Sequence, residues 1–302
     1  MNLQFLADGI VMGALIGLGA VGVTLSYSIL RFANFAHGEF IAWGTYMTLV
    51  LTAAIGTLFG GHTGTLGPLS FGWPLLAAGM AAAALTGGLA VALDCVLFSK
   101  LRSKGNAIVM VMASFGASMA LRSFLEFVFT SRPAYFTHDI QMAVPVGLGI
   151  RLTPDQFFLI FLTMIIVIGM DRFLTLSATG RAMRAVSENP TLARVAGVDV
   201  ERVIRATWII AGILATASGV MLGVTVQIRP FMGFDLLLPL FAAAILGGIG
   251  SMPGAMLGGL IVGVAEAAAV QIVGADYRAA VAFLILIAVL LVRPSGLFGA
   301  RE

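Results

Sequence analysis

The sequence predicts an all-α fold, a polytopic bundle of transmembrane helices. Hydrophobic residues make up 60% of the 302 residues, and mean hydropathy is +1.05, far above the range of a soluble domain. The apolar runs are continuous and approach the ~20 residues that cross a bilayer, whereas strands of a membrane β-barrel alternate apolar with polar residues. The 37 glycines agree with this class, since glycine lets transmembrane helices approach closely.

Eight stretches qualify as full spans, and a ninth is apolar but short, so it is either a short crossing or a re-entrant segment. We treat residues 1–302 as one transmembrane domain. The predicted spans are residues 5–30, 40–59, 73–98, 107–129, 157–170 with extensions on both sides, 206–228, 256–273 and 279–292, and the short stretch is 236–250.

The first span is expected to be retained. Residues 1–5 carry no basic residue, and the apolar run continues to Leu30. A cleaved signal peptide would have a positive n-region and a shorter apolar stretch. The single acid Asp8 suits the start of a helix, where the helix dipole favours a carboxylate.

Lysine and arginine predict the orientation, because they concentrate on the cytoplasmic side. Residues 100–104 and 171–205 and the tail with Arg293 and Arg301 are basic, whereas residues 60–72 contain no Lys or Arg. We therefore place the first three in the cytoplasm and residues 60–72 outside, with the N-terminus outside. The C-terminus is cytoplasmic if the short stretch crosses.

Three loop arginines, Arg132, Arg151 and Arg229, fall outside under this scheme, against the rule. The net charge of +3 comes from Lys and Arg that lie mostly between the spans, so it gives no reason to expect binding to nucleic acid.

The sequence argues against an enzyme. Its two lysines, Lys100 and Lys104, are not in a phosphate-binding P-loop, and no Gly-x-Ser-x-Gly nucleophile motif is present. His37, His62 and His138 lie too far apart for a metal site, and the lone Cys95 cannot form an internal disulfide. We expect no cofactor and no metal.

Acids within spans would indicate an ion-driven carrier. Only Asp94 and Glu266 lack a cation nearby in the sequence. Arg122 and Glu126 are four residues apart and are expected to pair with each other near the outer interface. A self-sufficient secondary transporter or channel therefore stays open as an alternative.

Residues 171–205 form a polar island between apolar spans, with six arginines and four acids. Within it a short helix is predicted, with Asn189 as its N-cap, Pro190 in its first turn and Gly197 as its terminator. Leu192 with Val195 or Ala196 would give this two-turn helix an apolar face. It is either a solvated loop helix or a knob that fits a cleft on another protein.

Three segments resemble signatures of the branched-chain amino-acid ABC transporter permeases, in the order and spacing of that family. They are Asn-Phe-Ala-His-Gly-Glu at 34–39, Gly-Arg-Ala-Met-Arg-Ala-Val-Ser-Glu-Asn-Pro at 180–190 with Ala193 and Gly197, and Ile-Leu-Gly-Gly-Ile-Gly-Ser at 245–251 with Gly254. The likeness covers nearly the whole chain and is greatest to the first of the two permease types.

The resemblance implies a permease subunit of the bacterial inner membrane that imports branched-chain or related amino acids. It implies a second homologous permease, two ATP-hydrolysing subunits and an extracytoplasmic substrate-binding protein as partners. Residues 188–197 match the coupling loop that transmits closure of the ATPases. The coupling residues are then Glu188, Asn189, Pro190, Leu192, Ala193 and Gly197.

The resemblance also implies that two polar, glycine-containing breaks lie along or beside the translocation path. Irregular backbone is tolerated there if protein or water covers it. For Glu39, stabilisation of a helix dipole is an equal alternative. Residues 35–50 and 250–265 could be counterparts in a two-fold repeat. The candidates are Asn34, His37, Gly38, Glu39, Gly247, Gly248 and Gly250.

Overall fold

The computed structural model describes residues 3–59, 64–102, 105–137, 141–147, 149–293 and 295–299. The helices are α1 (Gln4–Leu30), α2 (Ala36–Leu58), α3 (Trp73–Leu93), α4 (Ser99–Arg102), α5 (Ala107–Phe129), α6 (Pro154–Leu176), α7 (Ala178–Glu188), α8 (Pro190–Val195), α9 (Val200–Thr225), α10 (Met232–Gly247), α11 (Met252–Ile272) and α12 (Arg278–Val292). A π-helical turn at Asp94–Phe98 joins α3 to α4, and a 3₁₀ turn at Ala275–Tyr277 precedes α12.

The all-α prediction is confirmed. Eight helical segments of the described chain are long and apolar enough to span a membrane, and α10 is the shorter ninth. A two-stranded antiparallel hairpin, β1 (Val144–Gly147) with β2 (Ile150–Leu152), lies between α5 and α6, outside the predicted spans. His62, Lys104, His138, Arg301 and residues 60–63 of the loop 60–72 lie outside the described residues.

Several helices begin earlier than hydropathy predicted, among them α6, α10 and α11, and at α2 and α9 a polar side chain bonds to the first turn. The Asn34 Oδ1 atom accepts a hydrogen bond from the Ala36 backbone at 3.1 Å, so α2 begins at Ala36. The Asp199 carboxylate likewise accepts from the backbone N–H of Arg202 at 3.1 Å, and α9 begins at Val200. Hydropathy finds the apolar centre of a helix and misses a polar first turn.

Helix α1 occupies the centre of the bundle and packs along α11. A Cβ atom added to Gly9 would lie 2.7 Å from the Val264 Cα, and one added to Gly13 would lie 2.7 Å from the Leu260 Cα. The two helices therefore run antiparallel with their backbones in close contact. Within lipid the hydrophobic effect does not drive helices together, so close van der Waals packing at such glycines holds them in contact.

The seam gives a stability prediction. Gly259→Ala places a methyl group against the backbone of Gly17, whereas Gly116→Ala on α5 meets no atom within 4 Å. We expect Gly259→Ala to destabilise the protein by about 1–3 kcal/mol through overpacking, and Gly116→Ala to be neutral. Thermal unfolding in detergent measures both. Equal midpoints for the two variants would contradict the close packing of α1 on α11.

A second close contact joins the first turns of α2 and α10. A Cβ atom added to Gly38 would lie 2.6 Å from the carbonyl oxygen of Gly233. The start of α2 therefore packs on the start of α10. The two-fold repeat of residues 35–50 with residues 250–265 stays a prediction.

Candidate functional site

The short helix α8 has the capping structure that the sequence predicted. The side-chain oxygen of Asn189 accepts hydrogen bonds from the backbone N–H groups of Thr191 and Leu192, each at 3.0 Å. Pro190 is the first helical residue. Gly197 has φ +86°, a left-handed conformation that ends a helix and favours glycine. Local sequence alone therefore fixes both ends of α8.

The outer face of α8 is apolar and open. Leu192 is 66% exposed and Val195 is 82% exposed, while Ala193 on the opposite side is buried against the chain. Helix α7, which leads into α8, is anchored by the buried side chains of Met183 and Val186. We call Leu192 and Val195 the α8 knob. Two large exposed side chains on a rigidly capped helix form a small but well-defined contact surface.

Arg31 connects the approach to α8 with the end of α1, and sequence reasoning missed it. Its Nη2 atom donates to the backbone oxygen of Ser187 at 2.5 Å and to that of Glu188 at 3.2 Å. Arg31 itself has φ +60°, which is uncommon for a residue with a side chain. Ser187 and Glu188 lie directly before Asn189, so Arg31 ties the base of the α8 knob to the α1–α2 junction.

The polar residues at the start of α2 are buried within the bundle. Asn34 is 4% exposed, and His37 and Glu39 are fully buried. Ser118 on α5 donates to Glu39 Oε1 at 2.9 Å, and Arg122 Nε lies 3.9 Å from the same oxygen. Glu39 thus forms an ion pair between helices while standing in the first turn of α2, and the helix-dipole alternative remains compatible with this position.

The pairing predicted for Arg122 with Glu126 is wrong. Arg122 pairs with Glu39 instead, and its guanidinium lies 4.3 Å from the ring centroid of Phe234. A cation over an aromatic face is favourable. The buried Glu39 carboxylate needs a cation more than the partly exposed Glu126 does, because an unpaired buried charge is costly.

The acids singled out as possible ion-carrier groups are both paired. Asp94 forms an ion pair with Arg102. Glu266 receives a hydrogen bond from Arg278 Nε at 2.9 Å. Arg102 lies eight residues beyond Asp94 in the same span, and Arg278 lies on the helix that follows Glu266. Both separations exceed the three-to-four-residue spacing that predicts pairs on one helix face.

The glycines at the end of α10 and the polar start of α2 pack on the same part of α1. Gly247 packs on Gly254, and the Gly247 carbonyl accepts from the Phe298 backbone at 3.1 Å. The Gly250 backbone N–H donates to the Thr24 hydroxyl at 3.4 Å. Two residues earlier on α1, a Cβ atom added to Gly22 would lie 2.8 Å from the His37 ring. Residues 22–24 of α1 therefore contact both predicted groups.

Comparison with known proteins identifies the family. A family model described as "Branched-chain amino acid transport system / permease component" matches residues 5–290. The chain belongs to this permease family. The permease protein LivH of Escherichia coli (strain K12), from a high-affinity branched-chain amino acid transport system, is 33% identical, covering 99% of this chain and 96% of its own.

Further relatives of this permease come from other organisms. The permease protein BraD of Pseudomonas aeruginosa is 32% identical, covering 99% of this chain and 96% of its own. A probable LivH permease of Methanocaldococcus jannaschii is 28% identical, covering 98% of this chain and 92% of its own. The solved structure "PsaBC from Streptococcus pneumoniae in complex with Fab" shares the fold, with TM-score 0.50, 14% identity and coverage of 97% and 95%.

Membership of the permease family makes this chain a multi-pass membrane protein, and the family's proteins are permease components of transporters. The two segments that sequence reasoning chose, at the start of α2 and around α8, are joined in the structure through Arg31. The connection depends on a contact across 156 residues of sequence. The only local signal for it was a basic residue at the end of an apolar run.

Proposed function

We propose that this permease is the membrane-spanning subunit of an ABC importer for branched-chain or related amino acids. Two ATP-hydrolysing subunits would bind its cytoplasmic face and supply the energy. A second homologous permease would complete the membrane unit, and an extracytoplasmic binding protein would deliver the amino acid. Similarity to LivH and BraD, which belong to branched-chain amino acid transport systems, supports the substrate class.

The exposed α8 knob carries the energetic part of the proposal. Leu192 and Val195 stand 66% and 82% exposed outside the spans, three residues apart in a polar region, and contiguous exposed apolar side chains mark contact sites. We infer that the coupling region 171–205 docks on the ATPase through α8, with Glu188, Asn189, Pro190, Ala193 and Gly197 shaping the contact and Leu192 at its centre. Arg31 would pass the movement on to the α1–α2 junction.

We propose a bacterial inner-membrane location with the N-terminus outside and the C-terminus in the cytoplasm. In this orientation α8 faces the cytoplasmic ATPases. Residues 64–72, which contain no basic residue, face outward. Arg132, Arg151 and Arg229 are then on the outer side, and at least Arg229 has an acidic neighbour there, since it pairs with Asp235.

We place the translocation path beside the start of α2, where Asn34, His37, Gly38 and Glu39 lie buried between helices. These groups are closed off in this conformation, so a solute reaches them only when α2 and α10 separate. Gly247, Gly248 and Gly250 would lie beside the path at the cytoplasmic end of α10, where Gly250 approaches Thr24 of α1.

Site-specific cross-linking tests this proposal. The chain contains one cysteine, Cys95, so a Cys95→Ala background makes Leu192→Cys the single thiol. We expect a thiol-to-amine cross-linker at residue 192 to capture the co-expressed ATPase subunit. Thr65→Cys, in an exposed loop on the opposite face, is the matched control and should capture none. The proposal fails if residue 192 captures no ATPase or if residue 65 captures it equally.

A further inference from the structure

A cleft of about 660 Å³ runs beside α10. Its walls come from α1, α5, α9, α10, α11 and the start of α12, together with Phe35 before α2 and the non-helical segment before α10. Clefts that hold small molecules in proteins have volumes of about 300–1,000 Å³. This cleft therefore has room for a molecule of amino-acid size.

Charged groups of both signs line the cleft. They are three acids, Asp235, Glu266 and Asp276, and two arginines, Arg229 and Arg278. Arg278 lies 2.9 Å from Glu266, and Arg229 lies 3.4 Å from Asp235. The cleft therefore offers partners to a ligand that carries both a positive and a negative group.

Glu266 has hydrogen-bonding capacity to spare. It is 2% exposed, and among the described residues its Oε1 atom has no hydrogen-bond partner, while Oε2 accepts from Arg278. A buried carboxylate oxygen without a donor is costly, and a rotation of the carboxyl group that presents this oxygen to an ammonium group in the cleft would remove that cost. An ion pair that served only to hold α11 to α12 would give no reason for an unsatisfied acceptor here.

The arginines offer the opposite group. The side chains of Arg229 and Arg278 are 47% and 43% exposed, and each meets one carboxylate oxygen. A guanidinium has five N–H donors, so both retain donors that a ligand carboxylate can use. The cleft is therefore lined by one unsatisfied acceptor and by donors with hydrogen bonds still to make.

One wall of the cleft is apolar and aromatic. Phe35 and Phe241 face each other with ring centroids 5.5 Å apart, and Phe115 meets Phe35 edge-on at 6.0 Å. Phe35 directly follows Asn34, so this aromatic wall adjoins the buried polar residues at the start of α2. An aliphatic side chain would find an apolar surface here.

We propose that the cleft binds an aliphatic α-amino acid as a zwitterion, on its way to the closed path beside α2. The ammonium group donates to Glu266, the carboxylate accepts from Arg229, and the aliphatic side chain lies against Phe35 and Phe241. This inference rests on the proposed function and deepens it by naming the residues that hold the head group.

Thiol protection tests binding directly in the assembled transporter. Ala279 is exposed and lines the cleft, so Ala279→Cys in the Cys95→Ala background reports on it. We expect leucine to slow modification of this thiol by a methanethiosulfonate reagent. Isopentylamine, which lacks the carboxylate, and 4-methylpentanoate, which lacks the ammonium group, should not slow it. Absence of leucine protection, or equal protection by either analogue, overturns the site.

Variants assign the head-group roles. Glu266→Gln should raise the leucine concentration that gives half-protection by at least about tenfold, because a hydrogen bond to a charged group contributes binding free energy of about that size. Arg229→Gln should do the same, and it carries the test alone if Glu266→Gln fails to assemble, because the Arg229–Asp235 pair is half exposed. Arg151→Gln is the matched control, an exposed outer arginine that does not line the cleft. Protection that is as strong in Glu266→Gln or Arg229→Gln as in Arg151→Gln overturns the assignment.

Uptake measurements separate this site from the function on which it rests. Leucine protection without ATP-driven uptake would leave the site standing and overturn the importer. ATP-driven uptake without protection at residue 279, and unaffected by Arg229→Gln, would overturn the site and leave the importer standing.

Discussion

Leu192→Asp is expected to abolish substrate-stimulated ATP hydrolysis by the assembled transporter while the chain still inserts into the membrane. Leu192 is 66% exposed at the tip of α8, so the substitution leaves the fold of the permease intact. At the centre of a protein contact the loss of an apolar anchor costs about 2 kcal/mol or more, and an unpaired carboxylate adds a desolvation cost. We expect at least a roughly 30-fold loss of stimulated hydrolysis.

The conservative variant Leu192→Met is the matched control. Methionine keeps the volume and apolar character of leucine, so it should retain stimulated hydrolysis. Gly197→Asp should act like Leu192→Asp, because a side chain at φ +86° strains the end of α8 and adds a charge beside the knob. Normal coupling in both aspartate variants would show that α8 is not the docking helix.

Arg31→Gln is expected to reduce amino-acid uptake per ATP hydrolysed by about tenfold. The guanidinium bonds to the Ser187 and Glu188 carbonyls are exposed, so the effect should appear in the transfer of movement and much less in stability. Arg31→Gly retains the left-handed backbone without the side chain and should behave in the same way. Uptake and ATP hydrolysis measured in the same vesicles give the ratio.

Arg181→Gln is the control for Arg31. Arg181 is also exposed and also donates to a backbone carbonyl, that of Leu176 at 2.7 Å, but this contact is local to the α6–α7 junction. The uptake-to-hydrolysis ratio should stay at the unsubstituted value in Arg181→Gln. A ratio that falls equally in both variants, or in neither, would remove Arg31 from the coupling route.

Local signals in the sequence accounted for the spans and for α8. Continuous hydropathy located eight spanning helices and the short α10, because each must bury its backbone within its own helix. The sequence Asn-Pro at 189–190 and Gly197 fixed α8 because helix caps depend on residues only a few positions apart.

Contacts between distant residues were beyond sequence reasoning. Arg122 pairs with Glu39 and not with Glu126, its neighbour on the same helix. Arg31 donates to backbone carbonyls 156 and 157 residues away in the sequence. The cleft likewise assembles charges from three separate segments, among them Arg229 and Glu266. Which helices become neighbours depends on close glycine contacts, such as Gly38 on Gly233, whose partners a single sequence does not reveal.

The most direct measurement compares vesicles that contain this chain alone with vesicles that contain the assembled permease, ATPase and binding-protein system. We expect leucine uptake only in the complete system with ATP on the ATPase side, and none in the single-chain vesicles under a proton or sodium gradient. Gradient-driven uptake by the chain alone would show a self-sufficient carrier and contradict an importer powered through α8.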